Sequence, residues 1–248
     1  MNLTFRQTRN LVVLAAVIFV VWEGLFLYAG DNALKSPWQT FAFTGRLIGT
    51  EMFWQNFGET MTAFGLALAI AVGIGLSLGF WLGFHAPSGA LLTPMLLAFA
   101  SIPKVVLYPI VLLTCGLGIS AKVVFGAMHG IPPIALSTLG AIGTVRPVLL
   151  RLSRVMHFGS LETLHTIVVP AVLPEMMTGL RIGFSLTLIG TILGEMFASQ
   201  QGLGYLLMTA IGLHNVDLIM SVTLVLAVLA IAASAVLLTI DRRLRRHF

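Results

Sequence analysis

Apolar residues fall in long blocks along this chain instead of alternating with polar ones. Six blocks approach or exceed the roughly 20 residues a helix needs to cross a bilayer. They span 11–29, 60–84, 90–113, 121–142, 174–198 and 218–240. The pattern predicts an all-α polytopic membrane protein of about six transmembrane helices. Two blocks carry prolines: Pro94, Pro103 and Pro109 in the third, Pro132 and Pro133 in the fourth. Proline removes a backbone donor and kinks a helix. Such breaks survive in lipid only where protein or a polar cavity re-satisfies the freed carbonyls. The third and fourth spans are therefore expected to be broken and to face the protein interior. The first block is longer than the roughly 7–15 residues of a signal-peptide core, and no small-x-small cleavage site follows it. It reads as a retained span.

Composition agrees with this class. The 248 residues are 58% hydrophobic and only 9% charged, against roughly 25% charged in soluble domains. The formal net charge of +5 lies at the ends and in one loop, not in a stripe with interleaved aromatics, so nucleic acid is not an expected partner. Lone Cys115 excludes an intrachain disulfide and reads as a packing residue.

Charge also sets orientation. With the N-terminus in the cytoplasm, the inner segments carry Arg6, Arg9, Arg146, Arg151, Arg154, Arg242, Arg243, Arg245 and Arg246. The outer segments carry only Lys35 and Arg46. Cytoplasmic loops collect Lys and Arg, so both termini and the 143–173 loop are assigned to the cytoplasm. The segment 30–59 is then outside. No internal repeat is evident, and the chain reads as one membrane domain, 1–248. It divides into a first span with external segment (1–59), a core (60–240) and a basic tail (241–248).

Two glycine stripes mark close helix contacts. Gly75, Gly79 and Gly83 repeat every four residues. Gly179, Gly183, Gly190 and Gly194 fall within about 60° of one another on a helix. Small residues at such spacing let backbones approach. Packing within the chain and a subunit interface both fit.

Chemistry is sparse. The chain contains no G-x-x-x-x-G-K-[ST] or H-E-x-x-H sequence, so no phosphate loop or zinc-protease motif is present, and its one G-x-S-x-G string, 75–79, lies inside an apolar span and not at the strand-to-helix turn of a nucleophile elbow. His157 and His165, the closest useful histidine pair, have no cysteine near them, and no metal site or catalytic residue is assigned. Intramembrane ionisable groups are functional candidates by default. Lys104, His129 and Glu195 are taken as candidates for a translocation path. Lys104 also suits a second role, satisfying carbonyls freed by the prolines. Glu195 is read as an interfacial carboxylate or a lining group of an outer gate. Arg181 is expected to snorkel to the inner surface.

The basic loop has its own pattern. Val148, Leu149, Leu152, Val155 and Met156 recur at helical spacing, with Arg151 and Arg154 on the other face. Gly159 is expected to break this helix. Ser160 reads as the N-cap of a second short helix, with Glu162 in its first turn and an end near Pro170.

The run 167–180, IVVPAVLPEMMTGL, resembles the end of the EAA loop of ABC-transporter permease subunits. Its continuation, RIGFSLTLIGTILGEMFASQQGLGYLL, is similar to the branch serving nitrate, taurine and aliphatic sulfonates. SIPKVVLYPIVLLTCGLG, 101–118, resembles that branch's proline-broken segment. The resemblance covers about residue 60 onward. It implies a permease of a bacterial inner membrane that binds no cofactor itself. A partner ATPase subunit would handle ATP and Mg, a second permease copy would complete the pathway, and an extracytoplasmic binding protein would deliver a small solute, an anion by analogy with that branch. The loop would dock on the ATPase through Arg151, Arg154, His157, Gly159, Ser160, Glu162, Ile167 and Pro170. Anchored on Pro170, Ile167 and Val169 hold the loop's isoleucine and leucine positions. His157 falls where the pattern has glycine, and Arg151, Leu152 and Ser153 fall on its glutamate and two alanines. The EAA loop is therefore degenerate. An acidic groove on the ATPase would complement it; altered coupling is the other reading. A gradient-driven transporter or channel is the rival class, and an intramembrane enzyme using Ser185 and His129 a third.

Overall fold

Helix α1 (Asn2–Ala29) ends at Gly30, whose positive φ of 80° suits a residue without a side chain. The computed structural model describes residues 2–244. Arg245 and Arg246 of the basic tail lie outside the described residues, as do the side chains of Arg6, Arg154, Ser160, Arg242 and Arg243. The apolar stretch Val12–Ala29 buries none of its residues within the chain. A lipid-bathed helix needs only length and hydropathy to be stable.

The outer segment is more ordered than a loop. Ser36 accepts from the Gln39 N–H while the Gln39 side chain accepts from the Ser36 N–H, and Pro37 opens helix α2 (Pro37–Ile48). Thr50 then caps α3 (Glu51–Phe84). The expected external segment is thus largely helical, and the second span begins nine residues earlier than residue 60. Leu47 and Phe53 pack with Leu203, Leu206 and Val222 in an apolar cluster that holds α2 to the helices following.

The core is a sandwich of three helices: α3, α6 (Ile119–Gly143) and α9 (Val169–Ala198). Glycines set its register. A Cβ on Gly75, Gly79 or Gly83 would strike Ile134, Thr138 or Ile142 of α6. The positions rise together, so α3 and α6 run parallel. On the other side Gly179, Gly183, Gly190 and Gly194 meet Ser137, Ile134, His129 and Lys122. Here the positions run oppositely, so α9 is antiparallel to α6.

That geometry fixes a crossing that length alone leaves open. Helix α4 (Ala86–Ser101) and the stretch Lys104–Cys115, a 3₁₀ turn followed by α5 (Tyr108–Cys115), meet at a bend of 90°. Because α3 and α6 are parallel, the chain between Phe84 and Ile119 must return across the membrane. The bent pair is therefore one broken span, the third of six, and both described chain ends lie on the same face. The break falls at Ile102, held extended by Pro103.

Proline had a weaker effect elsewhere. Pro132 and Pro133 lie inside α6, which runs unbroken. The fourth span is thus not interrupted as expected, because α3 and α9 clamp it on both sides and half of its apolar stretch is buried. Helix α4 departs the other way. The prolines predict it inside, yet Gly89 is its one buried residue among those described.

At the inner end, α7 (Pro147–Val155) and α8 (Ser160–Thr163) follow α6. The second short helix does not stop near Pro170. It passes through a π-helical turn (Leu164–Val168) into α9, so the fifth span starts ten residues before Pro174. The Val169 N–H reaches back to the Leu164 carbonyl, and this wider turn admits Pro170, which has no N–H to place. Helix α10 (Leu203–Gly212), too short to cross, and α11 (Val216–Leu244) complete the chain.

Candidate functional site

Three places concentrate polar chemistry in this apolar molecule. The first is the break in the third span. Lys104 Nζ donates to the Ala100 carbonyl at 3.1 Å and lies 5.7 Å from the Phe99 ring centroid. It satisfies a carbonyl that the Pro103 break removes from the helical ladder. Two of its three N–H groups are left for other acceptors. His129, on the α6 face beside Gly190, bonds through Nδ1 to the Phe125 carbonyl at 2.8 Å. A carbonyl only accepts, so Nδ1 carries the proton and Nε2 is the free acceptor. Tyr108 ties α5 to α9 through its hydroxyl, which donates to the Gly194 carbonyl at 2.7 Å, and its ring packs edge-on against Phe125.

The second place is the outer end of the sandwich. Glu195 is fully buried, with 0% of its surface exposed. Its Oε2 accepts from Thr60 Oγ1 and from the Gly204 N–H, both at 2.9 Å. Thr60 Oγ1 in turn accepts from the Leu203 N–H, and Asn56 Oδ1 from the Gly202 N–H. Three successive backbone donors opening α10 are thus received by side chains of α3 and α9, a carboxylate among them. Gly202, at φ 117°, lies against the Glu195 carboxyl and leaves no room for a Cβ. Beside this cap, Lys122 Nζ bonds Glu59 Oε1 and the Gln201 carbonyl, both at 2.9 Å. Glu195 is thus buried at the α9–α10 turn, with its carboxyl facing the start of α10.

The third place is the inner loop. Thr144 Oγ1 donates to Glu175 Oε2 at 3.2 Å, clasping the end of α6 to the start of α9. The apolar face of α7, with Met156 just after it, is largely exposed: Leu149 is half-buried, while Val148, Leu152, Val155 and Met156 are exposed, Val155 by 74%. Arg151, His157, Gly159 and Glu162 are exposed too, while Ser153 is buried. Ile167 is half-buried above Val168, which packs on Ala141, Val172 and Met176. Ser160 begins α8 instead of preceding it. Gly159 is not the breaker either: α7 ends at Val155, and His157 takes the left-handed backbone at φ 57°.

Sequence reasoning missed Asn56, Glu59, Thr60, Tyr108, Lys122 and Glu175. Asn56 and Thr60 are four residues apart, the spacing of one helix face, but nothing local tells which loop they meet. Both glycine stripes are taken up inside the chain, against α6. Among the described residues no three of His, Cys, Asp or Glu gather as metal ligands. The grooves are apolar and peripheral: one of about 480 Å³ between α1 and α11 is lined by Val17, Val21, Trp22, Leu25, Met220 and Leu224.

Residues 71–248 match the family described as binding-protein-dependent transport system inner membrane component. The chain is 26% identical over 248 residues to the taurine transport system permease protein TauC of Escherichia coli (strain K12), covering 98% of this chain and 90% of that one. It is 30% identical over 155 residues to the riboflavin transport system permease protein RibX of Chloroflexus aurantiacus, covering 62% and 58%. A bacterial ABC transporter that imports the acidic polysaccharide alginate has a chain of the same fold, with a TM-score of 0.70 at 16% identity over 98% of this chain and 99% of that one. The MetNI methionine transporter gives 0.69 at 20% identity over 79% and 99%. At these identities the solved structures speak for the fold alone.

Proposed function

Because the chain belongs to the family of binding-protein-dependent transport system inner membrane components, and so is a multi-pass permease subunit of an ABC importer without an ATPase site of its own, we propose how its parts divide that work. The family assignment sets aside the gradient-driven transporter and the intramembrane enzyme. The chain acts as one permease domain in a bacterial inner membrane, paired with a second copy, and an external binding protein delivers the solute. ATP and Mg are bound by the partner ATPase subunits.

The solute passes along the broken third span, α6 and α9. Lys104 and His129 are polar groups on that side. Lys104 offers positive charge and two free N–H donors, His129 offers its Nε2 acceptor, and the carboxylates Glu59 and Glu195 are engaged at the outer end. This balance favours a small anion. Taurine, named for one similar protein, carries an acidic group.

The loop 146–163 docks on the ATPase. The observation that carries this reading is the exposed apolar face of α7 at the cytoplasmic end. In water such a face costs about 25 cal/mol per Å² left exposed, and Thr144–Glu175 fixes its root to the core. His157 supports the register. It stands where the EAA pattern has glycine, and its backbone has the left-handed conformation that glycine favours. Arg151 then replaces the pattern's glutamate, so the groove it meets is acidic.

Co-expression with candidate ATPase subunits of the same genome, followed by co-purification, tests the docking. Val155→Asp should cut recovery of the ATPase about tenfold or more, the effect of burying an unpaired charge at an interface. Full recovery with Val155→Asp would refute the docking face.

A further inference from the structure

The outer cluster holds one group that capping does not use. Glu195 Oε1 is buried and has no hydrogen-bond partner. Close by, Lys122 is 1% exposed and uses two of its three ammonium donors, on Glu59 and the Gln201 carbonyl. The two residues are neighbours across the α6–α9 seam: a Cβ on Gly194 would lie 3.1 Å from Lys122 Cα. Lys122 and Glu59 are also the charged groups facing Glu195.

We propose that Lys122, Glu59 and Glu195 form a two-position latch at the outer end of the permease, in which the Lys122 ammonium exchanges between Glu59 with the Gln201 carbonyl and Glu195 Oε1. The structure holds the first position. The second leaves no buried polar group stranded. Glu59, with 25% of its side chain exposed, passes to water. The Gln201 carbonyl keeps the Ser199 hydroxyl, which already donates to it at 2.5 Å. Glu195 Oε1 gains the donor it lacks. The cap on α10 is untouched, because it uses Glu195 Oε2, Thr60 and Asn56. What the exchange releases is the brace between α6 and the 199–201 stretch, so that stretch is free to move from α6 while Gly202 and α10 stay seated. The first position keeps the Lys122–Glu59 pair but leaves Glu195 Oε1 without a donor, the second gives up that pair and supplies the donor, and a small push selects between two such offsetting positions. The three side chains are positioning residues for the outer mouth. The inference rests on the chain being a permease, and on neither the docking loop nor the nature of the solute.

The test uses the full-length chain in lipid nanodiscs, without ATPase or solute, so its outcome is separable from the proposals above. Spin labels at Gln55 and Gln200, both exposed, in a Cys115→Ser background report the distance from α3 to the turn. Two distances are expected. Glu59→Gln should enrich the longer and Glu195→Gln the shorter, each by about tenfold, the response to weakening one charge-assisted hydrogen bond. In a Lys122→Met background Glu59→Gln should change nothing. A single distance unmoved by every variant would overturn the latch, as would shifts of Glu59→Gln and Glu195→Gln in the same direction. Persistence of the Glu59→Gln shift without Lys122 would do the same. If Glu195→Gln fails to fold, the Glu59 and Lys122 comparison decides alone.

Discussion

Replacing Gly79 by alanine tests the sandwich most directly. A Cβ there would lie 2.5 Å from Thr138 Cβ and 2.8 Å from the Ala135 carbonyl oxygen. Ordinary contact begins near 3.4 Å, so α3 and α6 must part locally by roughly 1 Å. A gap of that size forfeits a quarter to a half of each dispersion contact, about 0.1–0.2 kcal/mol per atom pair at its best. With on the order of twenty pairs across the neighbouring turns, the loss is about 0.5–2 kcal/mol, overlapping the range of overpacked cores. Gly73 on the same helix supplies the control. It has nothing within 4 Å of its Cβ position, so Gly73→Ala should gain about 0.5–1 kcal/mol of helix stability. Unfolding by SDS in mixed micelles, followed by circular dichroism, should therefore separate the two variants by about 2 kcal/mol with opposite signs. Equal shifts, or a Gly79→Ala protein as stable as the parent, would refute the register of α3 against α6.

Other expectations are more local. His157→Gly relieves a left-handed residue with a side chain and should raise stability by up to about 1 kcal/mol while keeping ATPase recovery; a loss of stability would show that the His157 ring holds the turn. Tyr108→Phe removes the hydroxyl bonded to the Gly194 carbonyl and should cost about 0.5–1.5 kcal/mol in the same SDS assay. The outer clasp gives a pH signature. Lys35 pairs with Asp31 at 2.9 Å and Asp217 at 3.6 Å, while its carbonyl accepts from the Trp22 indole. The Lys35 hydrogen bond holds the Asp31 carboxyl below the usual carboxylate range, and the Asp31 hydrogen bond holds the Lys35 ammonium above the usual lysine range. The Asp31 contribution is thus present above its ordinary titration and lost as pH falls through the lowered value. The Lys35 contribution is present below its ordinary titration and lost as pH rises through the raised value. Trp22 emission, read with Trp38, Trp54 and Trp81 changed to Phe, should stay flat between these limits; a transition near neutral pH would contradict the clasp.

Much of the architecture is legible in the sequence. Hydropathy marks the spans because each helix meets lipid on its own, and the Lys and Arg bias orients them because charge is read loop by loop. The motif at 167–180 places the cytoplasmic loop, and with it the family, for the same local reason. Boundaries are less legible: nothing in the composition of 160–173 announces that a π-helical turn carries the helix through Pro170.

Partnership between helices lies beyond the sequence. The glycine stripes say that something comes close, but only the sandwich shows that both meet α6, on opposite sides and in opposite directions. That register also decides that the bent third span crosses the membrane. Pro132 and Pro133 read as a break because the rule for proline is local, whereas clamping by α3 and α9 is not. Glu195 looks like a lining carboxylate because it sits in a span. The fold turns it toward the first N–H groups of α10, where a buried carboxyl finds donors. Hydropathy, loop charge and motif order belong to single segments and survive in one dimension. Which side chain meets which backbone depends on residues as far apart as Thr60 and Glu195, and the close packing of helices settles it.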